Sequence, residues 1–265
     1  MSSITTDKGI LHYEVFGKGK PVIFLHGWLG SWGLWQETMS YIGKTSRTYA
    51  LDFWGFGESD GKLSSYQVHD FVDLVRQFMD QLGIDHAPLV GHSMGGTVSL
   101  MAAINYQSRV DKVAVIGSPI VGSSLSVPLR LAGKRAIAVN LFRYFGSFRK
   151  TLRWVSPLIC KNPKFPEIID HDLSRTNLES FLNSIRSLNR IDLRQELQKI
   201  KIPVLGLYGK RDNIVAPAQY KLLIQGIPNA RIELFPQSGH FIMLDEPDLC
   251  MQLIKEFINE ESDLT

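Results

Sequence analysis

The chain has 265 residues, 44% of them hydrophobic, with a formal charge of +3 at pH 7. That length is enough to bury one substantial α/β core. The small charge comes with no DNA- or RNA-binding motif, so nucleic acid is not an expected partner.

No run of eighteen apolar residues occurs, and residues 1–7 lack a basic n-region and an apolar h-region. Neither a transmembrane helix nor a signal peptide is therefore indicated. Cys160 and Cys250 are far apart and form neither a disulfide framework nor a zinc spacing, which makes a reduced cytoplasm the expected location.

In chain order, an opening segment from Gly9 to Gly17 is followed by the turn Lys18-Gly19-Lys20-Pro21 and an apolar strand, Val22 to Leu25. The strand ends in His26-Gly27-Trp28-Leu29-Gly30. Another strand, Arg47 to Asp52, runs into the turn Asp52-Phe53-Trp54-Gly55-Phe56-Gly57-Glu58-Ser59. Its glycines permit tight turns, Asp52 can accept local N–H bonds, and Trp54 or Phe56 is a candidate wall for a substrate pocket. Val68, Phe71, Val72, Val75, Phe78, Met79 and Leu82 then recur at helical spacing, which predicts a helix packed on the core.

The buried strand Ala87 to Val90 leads into Gly91-His92-Ser93-Met94-Gly95, followed by a small-residue helix up to Tyr106. Such a strand-turn-helix corner exposes Ser93 at its tip, and glycine on either side avoids collisions with the neighbouring strand and helix. Val110 to Ile116 is a further strand. After a long insertion, the apolar run from Ile202 to Gly209 delivers Asp212 to a strand-end loop. The run from Ala230 to Phe235 delivers His240 to the next one, and Leu249, Leu253, Ile254, Phe257 and Ile258 mark a final helix. Apolar runs alternating with helical patterns are the signature of a mostly parallel sheet.

A serine hydroxyl needs a base to attack at neutral pH. His240 is the candidate to take its proton and return it to the leaving group, and Asp212 the candidate to fix the imidazole tautomer. The order Ser, Asp, His at three strand ends resembles the α/β-hydrolase superfamily, over nearly the whole chain from about Gly9 to the last helix. The resemblance implies an α/β-hydrolase fold with a helical cap: core in 1–119, cap in 120–195, core again in 196–265. It also implies oxyanion donors at the backbone N–H groups of Trp28 and Met94, and assigns His26 to ordering its loop rather than to proton transfer.

Ser93 at the elbow argues against haloalkane dehalogenases and epoxide hydrolases of this fold, which carry Asp there. Carbon-carbon bond hydrolases usually show Asn before the serine and a Gly-Pro-Gly oxyanion segment. Here His92 and Trp28-Leu29-Gly30 stand in those places. No His-Glu-x-x-His helix, paired-Cys motif or Gly-Lys-Ser/Thr phosphate loop is present, so no metal or organic cofactor is implied.

From Val121 to Pro166 nine residues are Lys or Arg and none is Asp or Glu. Interleaved with aromatics such as Phe142, Phe145, Phe148 and Trp154, this pattern fits an apolar face covering the site with solvated cations outside. Contact with an anionic membrane or an anionic substrate is the less favoured alternative. The expected function is a serine esterase acting on a small-molecule carboxylic ester through an acyl-enzyme. The alternatives are a perhydrolase or cofactor-free haloperoxidase-like enzyme, a carbon-carbon bond hydrolase, and, from another class, a small-molecule receptor on the same fold.

Overall fold

A computed structural model describes residues 2–260. Its strands are β1 (Ser2–Thr6), β2 (Gly9–Phe16), β3 (Pro21–Leu25), β4 (Arg47–Leu51), β5 (Ala87–His92), β6 (Val110–Ile116), β7 (Val204–Gly209) and β8 (Arg231–Phe235). They form one sheet in the order β1-β2-β4-β3-β5-β6-β7-β8. The pairs β1/β2 and β2/β4 are antiparallel, and every later pair is parallel.

The central strands are buried on both faces, which is why they read as continuous apolar runs rather than as alternating ones. Successive residues still go to opposite sides. Ile23 and Leu25 of β3 join one core cluster while Val22 and Phe24 join the other, and Val113 and Val115 of β6 are likewise divided from Ala114 and Ile116. The first cluster holds α2 (Val68–Gln81) and α3 (Met94–Asn105); the second holds α1 (Gln36–Ile42) and the C-terminal helix Pro247–Asn259.

Strand β1 is an element the sequence pattern did not announce. Its alternation is short and polar, Ser2-Ser3-Ile4-Thr5-Thr6, and it exists because the Asp7-Lys8 turn folds it back on β2, pairing Thr6 with Gly9.

Between β6 and β7 lie five helices: α4 (Val127–Ala132), α5 (Arg135–Arg143), α6 (Phe145–Val155), α7 (Phe165–Ser174) and α8 (Leu178–Leu188). Helix α8 is the anchor of the group, with Phe181, Leu182, Ile185 and Leu188 buried. The rings of Phe142 and Phe148 meet Phe181 at 5.2 and 6.4 Å. By contrast, α6 buries no residue fully. Helices α9 (Gln219–Gly226), α10 (Ile242–Asp245) and α11 (Pro247–Asn259) complete the chain around β7 and β8.

Candidate active site

The carboxyl ends of β3, β5, β7 and β8 carry, in turn, the His26–Gly30 loop, Ser93, Asp212 and His240. Crevices at this end of an open parallel sheet are where ligands bind.

Ser93 is held at φ 51° and ψ −118°, a conformation that a residue with a Cβ adopts only when its surroundings impose it. The neighbours do impose it. The Ser93 N–H donates to the Ile116 carbonyl at 2.8 Å, and the Gly96 and Thr97 amides donate to the Ser93 carbonyl. A Cβ at Gly91 would collide with the Gly95 backbone, and one at Gly95 with the Leu25 carbonyl, so strand β5 and helix α3 can meet at this angle only through glycines.

His240 Nδ1 lies 2.7 Å from Asp212 Oδ2, and both side chains are almost fully buried. The other carboxylate oxygen, Oδ1, accepts the amides of Ile214 and Val215 at 2.8 and 2.9 Å. Asp212 is thus fixed on one side by backbone and offers the other to the imidazole, which leaves His240 Nε2 without a protein partner among the described residues. Gly117, at φ +57°, makes room for this pair. A Cβ there would lie 3.1 Å from His240 Nδ1 and 3.4 Å from Asp212 Oδ2.

The Ser93 hydroxyl makes no hydrogen bond among the described residues. It is joined to the His240 loop through its neighbour: the His92 ring stands 4.7 Å from the His240 ring, and His92 Nε2 contacts the His240 carbonyl oxygen at 3.1 Å. Burial, with the charge of His240 as the next cause, holds the His92 pKa well below the ordinary imidazole value. His92 is therefore a neutral strut that donates to that carbonyl.

Two amides near Ser93 have no acceptor. Among the described residues neither the Trp28 nor the Met94 N–H donates to the protein, and Met94 opens α3, whose first-turn amides have no partners within the helix. Gly27 lets the Trp28 loop come close. A Cβ on it would sit 3.1 Å from Ser93 Cβ and 2.9 Å from His92 Nδ1.

His26 is occupied on both sides. Nδ1 is 2.7 Å from the Gly27 carbonyl and Nε2 accepts the Phe53 amide at 2.9 Å, while burial lowers its pKa. The ring shapes the loop and has no nitrogen left for a substrate proton. Asp52 is similarly committed, accepting the Trp32 and Glu58 amides at 2.7 and 2.9 Å and meeting His12 at 2.8 Å.

Trp54 and Phe56 do not wall the site, which corrects the expectation from sequence. Both are fully buried. Trp54 Nε1 donates to Thr6 Oγ1 at 3.1 Å under the N-terminal hairpin, and Phe56 packs edge-on against His26 and Phe71. Aromatic side chains on this loop were drawn into the core because a partner for the indole N–H lay there. Next to the His26–Gly30 loop, Trp28, whose indole donates to the Phe181 carbonyl at 3.2 Å, borders a narrow cleft together with Phe165, Phe241, Gly27 and His92. Sequence reasoning missed His92, Phe165, Phe181 and Phe241. Only His92 carried a signal, its place inside the elbow.

The nine Lys and Arg residues between Val121 and Pro166 divide in two. Arg149 pairs with Asp170 at 2.8 Å, Lys164 with Glu37 at 3.0 Å and Arg135 with Glu179 at 3.6 Å. Arg130, Lys134, Arg143, Lys150, Arg153 and Lys161 are exposed and form no ion pair among the described residues.

The family described as alpha/beta hydrolase fold matches residues 20–157 and 172–247. A pimeloyl-(acyl-carrier protein) methyl ester esterase of Vibrio atlanticus is 26% identical over 254 residues, covering 92% of this chain and 96% of its own. A 2-hydroxy-6-oxo-6-phenylhexa-2,4-dienoate hydrolase of Comamonas testosteroni is 28% identical over 275 residues, covering 95% and 92%. The solved structure of an esterase from Exiguobacterium antarcticum superposes with a TM-score of 0.83 at 22% identity, covering 97% of this chain and 98% of that one. A serine on a strained elbow, an Asp–His pair on the loops that follow, and a sheet of this order are thus found together with that family match, and the chain belongs to the alpha/beta hydrolase fold family.

Proposed function

We propose that the chain is a serine hydrolase that cleaves carboxylic esters through an acyl-enzyme. The observation that carries this reading is the 2.7 Å contact between His240 Nδ1 and Asp212 Oδ2, which leaves the opposite imidazole nitrogen without a protein partner, on a loop braced by His92 next to the elbow serine. In the reaction, Ser93 Oγ attacks the ester carbonyl carbon while His240 Nε2 takes its proton. The carbonyl oxygen becomes an anion within reach of the Trp28 and Met94 amides, each worth about 3 to 4 kcal/mol to the transition state. The C–O bond then breaks, His240 returns the proton to the departing alcohol, and water repeats the sequence to release the acid. Asp212 holds the tautomer with its proton on Nδ1 and stabilises the imidazolium.

Two buried free thiols, Cys160 and Cys250, each with a pKa pushed up to about 12 by burial, are chemically inert and fit a reducing compartment such as the cytoplasm. Among the described residues no helix is long and apolar enough to cross a membrane.

Turnover of p-nitrophenyl esters from acetate to palmitate tests the reading and reports pocket depth. Ser93→Ala should lower kcat by at least about 10⁴-fold with unchanged folding. A variant that stays active removes Ser93 as nucleophile. Absence of turnover on every ester, with cleavage of a carbon-carbon diketone or with tight ligand binding alone, would move the chain to one of the other readings.

A further inference from the structure

Outside the narrow cleft lies a second cavity of about 340 Å³ at the seam between cap and core. The two share Leu34, Ile168 and Asp172, so they are neighbouring compartments divided by those side chains. The inner compartment touches Gly27, Trp28 and His92, and the outer one leads away from the nucleophile.

Asp172 is the unusual member of this partition. It is 3% exposed, yet it is a carboxylate on α7 facing two cavities. Oδ1 accepts the Ser31 hydroxyl at 2.7 Å and meets His171 Nδ1 at 3.1 Å. Oδ2 has no hydrogen-bond partner among the described residues, and it is not among the buried polar atoms sealed without one. It therefore faces open space, and the open space beside Asp172 is the two cavities. A carboxylate oxygen to which the protein offers no donor, open to a cavity, is available to a donor or cation brought by a ligand.

The rest of the outer lining agrees in sign. Lys164 is neutralised by Glu37 at 3.0 Å, which leaves Glu167 as a carboxylate with no ion pair among the described residues. Trp32 adds an indole ring, and Ile168, Leu34 and Met243 add apolar surface. Carboxylate, indole and aliphatic walls together are the recognition chemistry of an ammonium group. The basic residues of the cap that lack ion pairs, Arg130, Lys134, Arg143, Lys150, Arg153 and Lys161, do not line this cavity.

We propose that the outer cavity is a binding site for a cationic nitrogen carried by the substrate, with Asp172 Oδ2 as its counter-charge where this cavity adjoins the narrow cleft lined by Gly27, Trp28 and His92. The proposal deepens the ester reading by giving the substrate a charge. It also runs opposite to what the excess of Lys and Arg in the cap suggests from sequence.

The test uses two pairs of esters identical in shape and differing only by N⁺ for C. The charge on the alcohol side is probed with choline and 3,3-dimethylbutyl esters. The acyl side is probed with p-nitrophenyl esters of 4-(trimethylammonio)butanoic and 5,5-dimethylhexanoic acids. Binding to the Ser93→Ala protein is measured by calorimetry, so that affinity is read whether or not turnover occurs. In one of the pairs the cationic member should bind at least tenfold more tightly than its isostere. Asp172→Asn should reduce that ratio at least fivefold, and Glu167→Gln at the exposed rim at least twofold. Lys150→Ala, outside the cavity, should leave it unchanged.

Asn still accepts the Ser31 hydroxyl, so a merely structural Asp172 would weaken both members of a pair alike and leave their ratio intact. A ratio near one in both pairs, or a ratio that survives Asp172→Asn, overturns the proposal. If that variant does not fold, an unchanged ratio in Glu167→Gln overturns it. Preferential binding of the cation without hydrolysis by the wild-type chain would sink the ester reading and leave the cation site standing; hydrolysis without preference would do the reverse.

Discussion

At Ser93 the backbone stores strain, as the nucleophile role proposed for its side chain would require. A non-glycine residue at φ 51° costs about 1 to 3 kcal/mol, and glycine adopts that region freely. Ser93→Gly is therefore expected to raise Tm by several degrees while removing turnover, and thermal unfolding beside the p-nitrophenyl assay checks both; a lower Tm would mean the elbow is relaxed. The residue types were legible from the pentapeptide and from the two later strand ends. Their neighbours were not: Gly117 is an ordinary strand-end glycine in sequence, and only the folded chain puts it against both His240 and Asp212. Trp54 and Phe56 show the opposite failure. Their loop was recognisable, but which way its aromatic rings turn depends on Thr6, Phe71 and His26, residues remote from it in the chain.

For whole elements, periodicity was the reliable signal. Helix α2 follows its apolar spacing closely, with Val68, Phe71, Val72, Val75, Phe78 and Met79 buried, and Gln67 with Asp70 closes its first turn as a capping box. Strand β1 escaped notice because five mostly polar residues carry too little alternation, and it is stable only as the second half of a hairpin. The contrast between two glycines makes this scale testable. Gly95 lies where a Cβ would strike the Leu25 carbonyl, so Gly95→Ala should cost about 3 kcal/mol or more as α3 is pushed off β3. Gly146, in the first turn of α6, has nothing within 4 Å, and Gly146→Ala should stabilise by about 0.5 to 1 kcal/mol. Urea midpoints of the two variants decide it; equal and small effects would mean that the elbow's packing is looser than described.

Across the whole molecule, the helices between β6 and β7 are tied to the rest of the fold at Ser31–Asp172 and Trp28–Phe181, and the buried carboxyl of the first makes stability depend on pH. Burial raises the Asp172 pKa from 3.8 to about 6, with the Ser31 and His171 hydrogen bonds opposing the rise. A raised carboxyl pKa means the folded state holds its proton over a range where the unfolded state has lost it. Stability should therefore fall as pH rises from about 4 to 6, with a cost on the order of 3 kcal/mol fully present above that window. Asp172→Asn abolishes this cost, so its Tm should exceed that of wild type at pH 8 and approach it at pH 4.5. An equal difference at both pH values would show that Asp172 does not titrate in that window. The amino-acid sequence alone determined the class of sheet, the order of the reactive residues and their delivery to strand ends, because strand period, helix period and turn glycines are local properties of a chain. Tertiary structure alone decided which side chains meet: that His92 braces the His240 loop, that Phe181 covers Trp28, and that a buried acid on α7 borders the cleft beside Trp28 and His92. Contacts of that kind join residues up to 153 positions apart, and their selection follows from packing and unsatisfied polar groups, which no local pattern records.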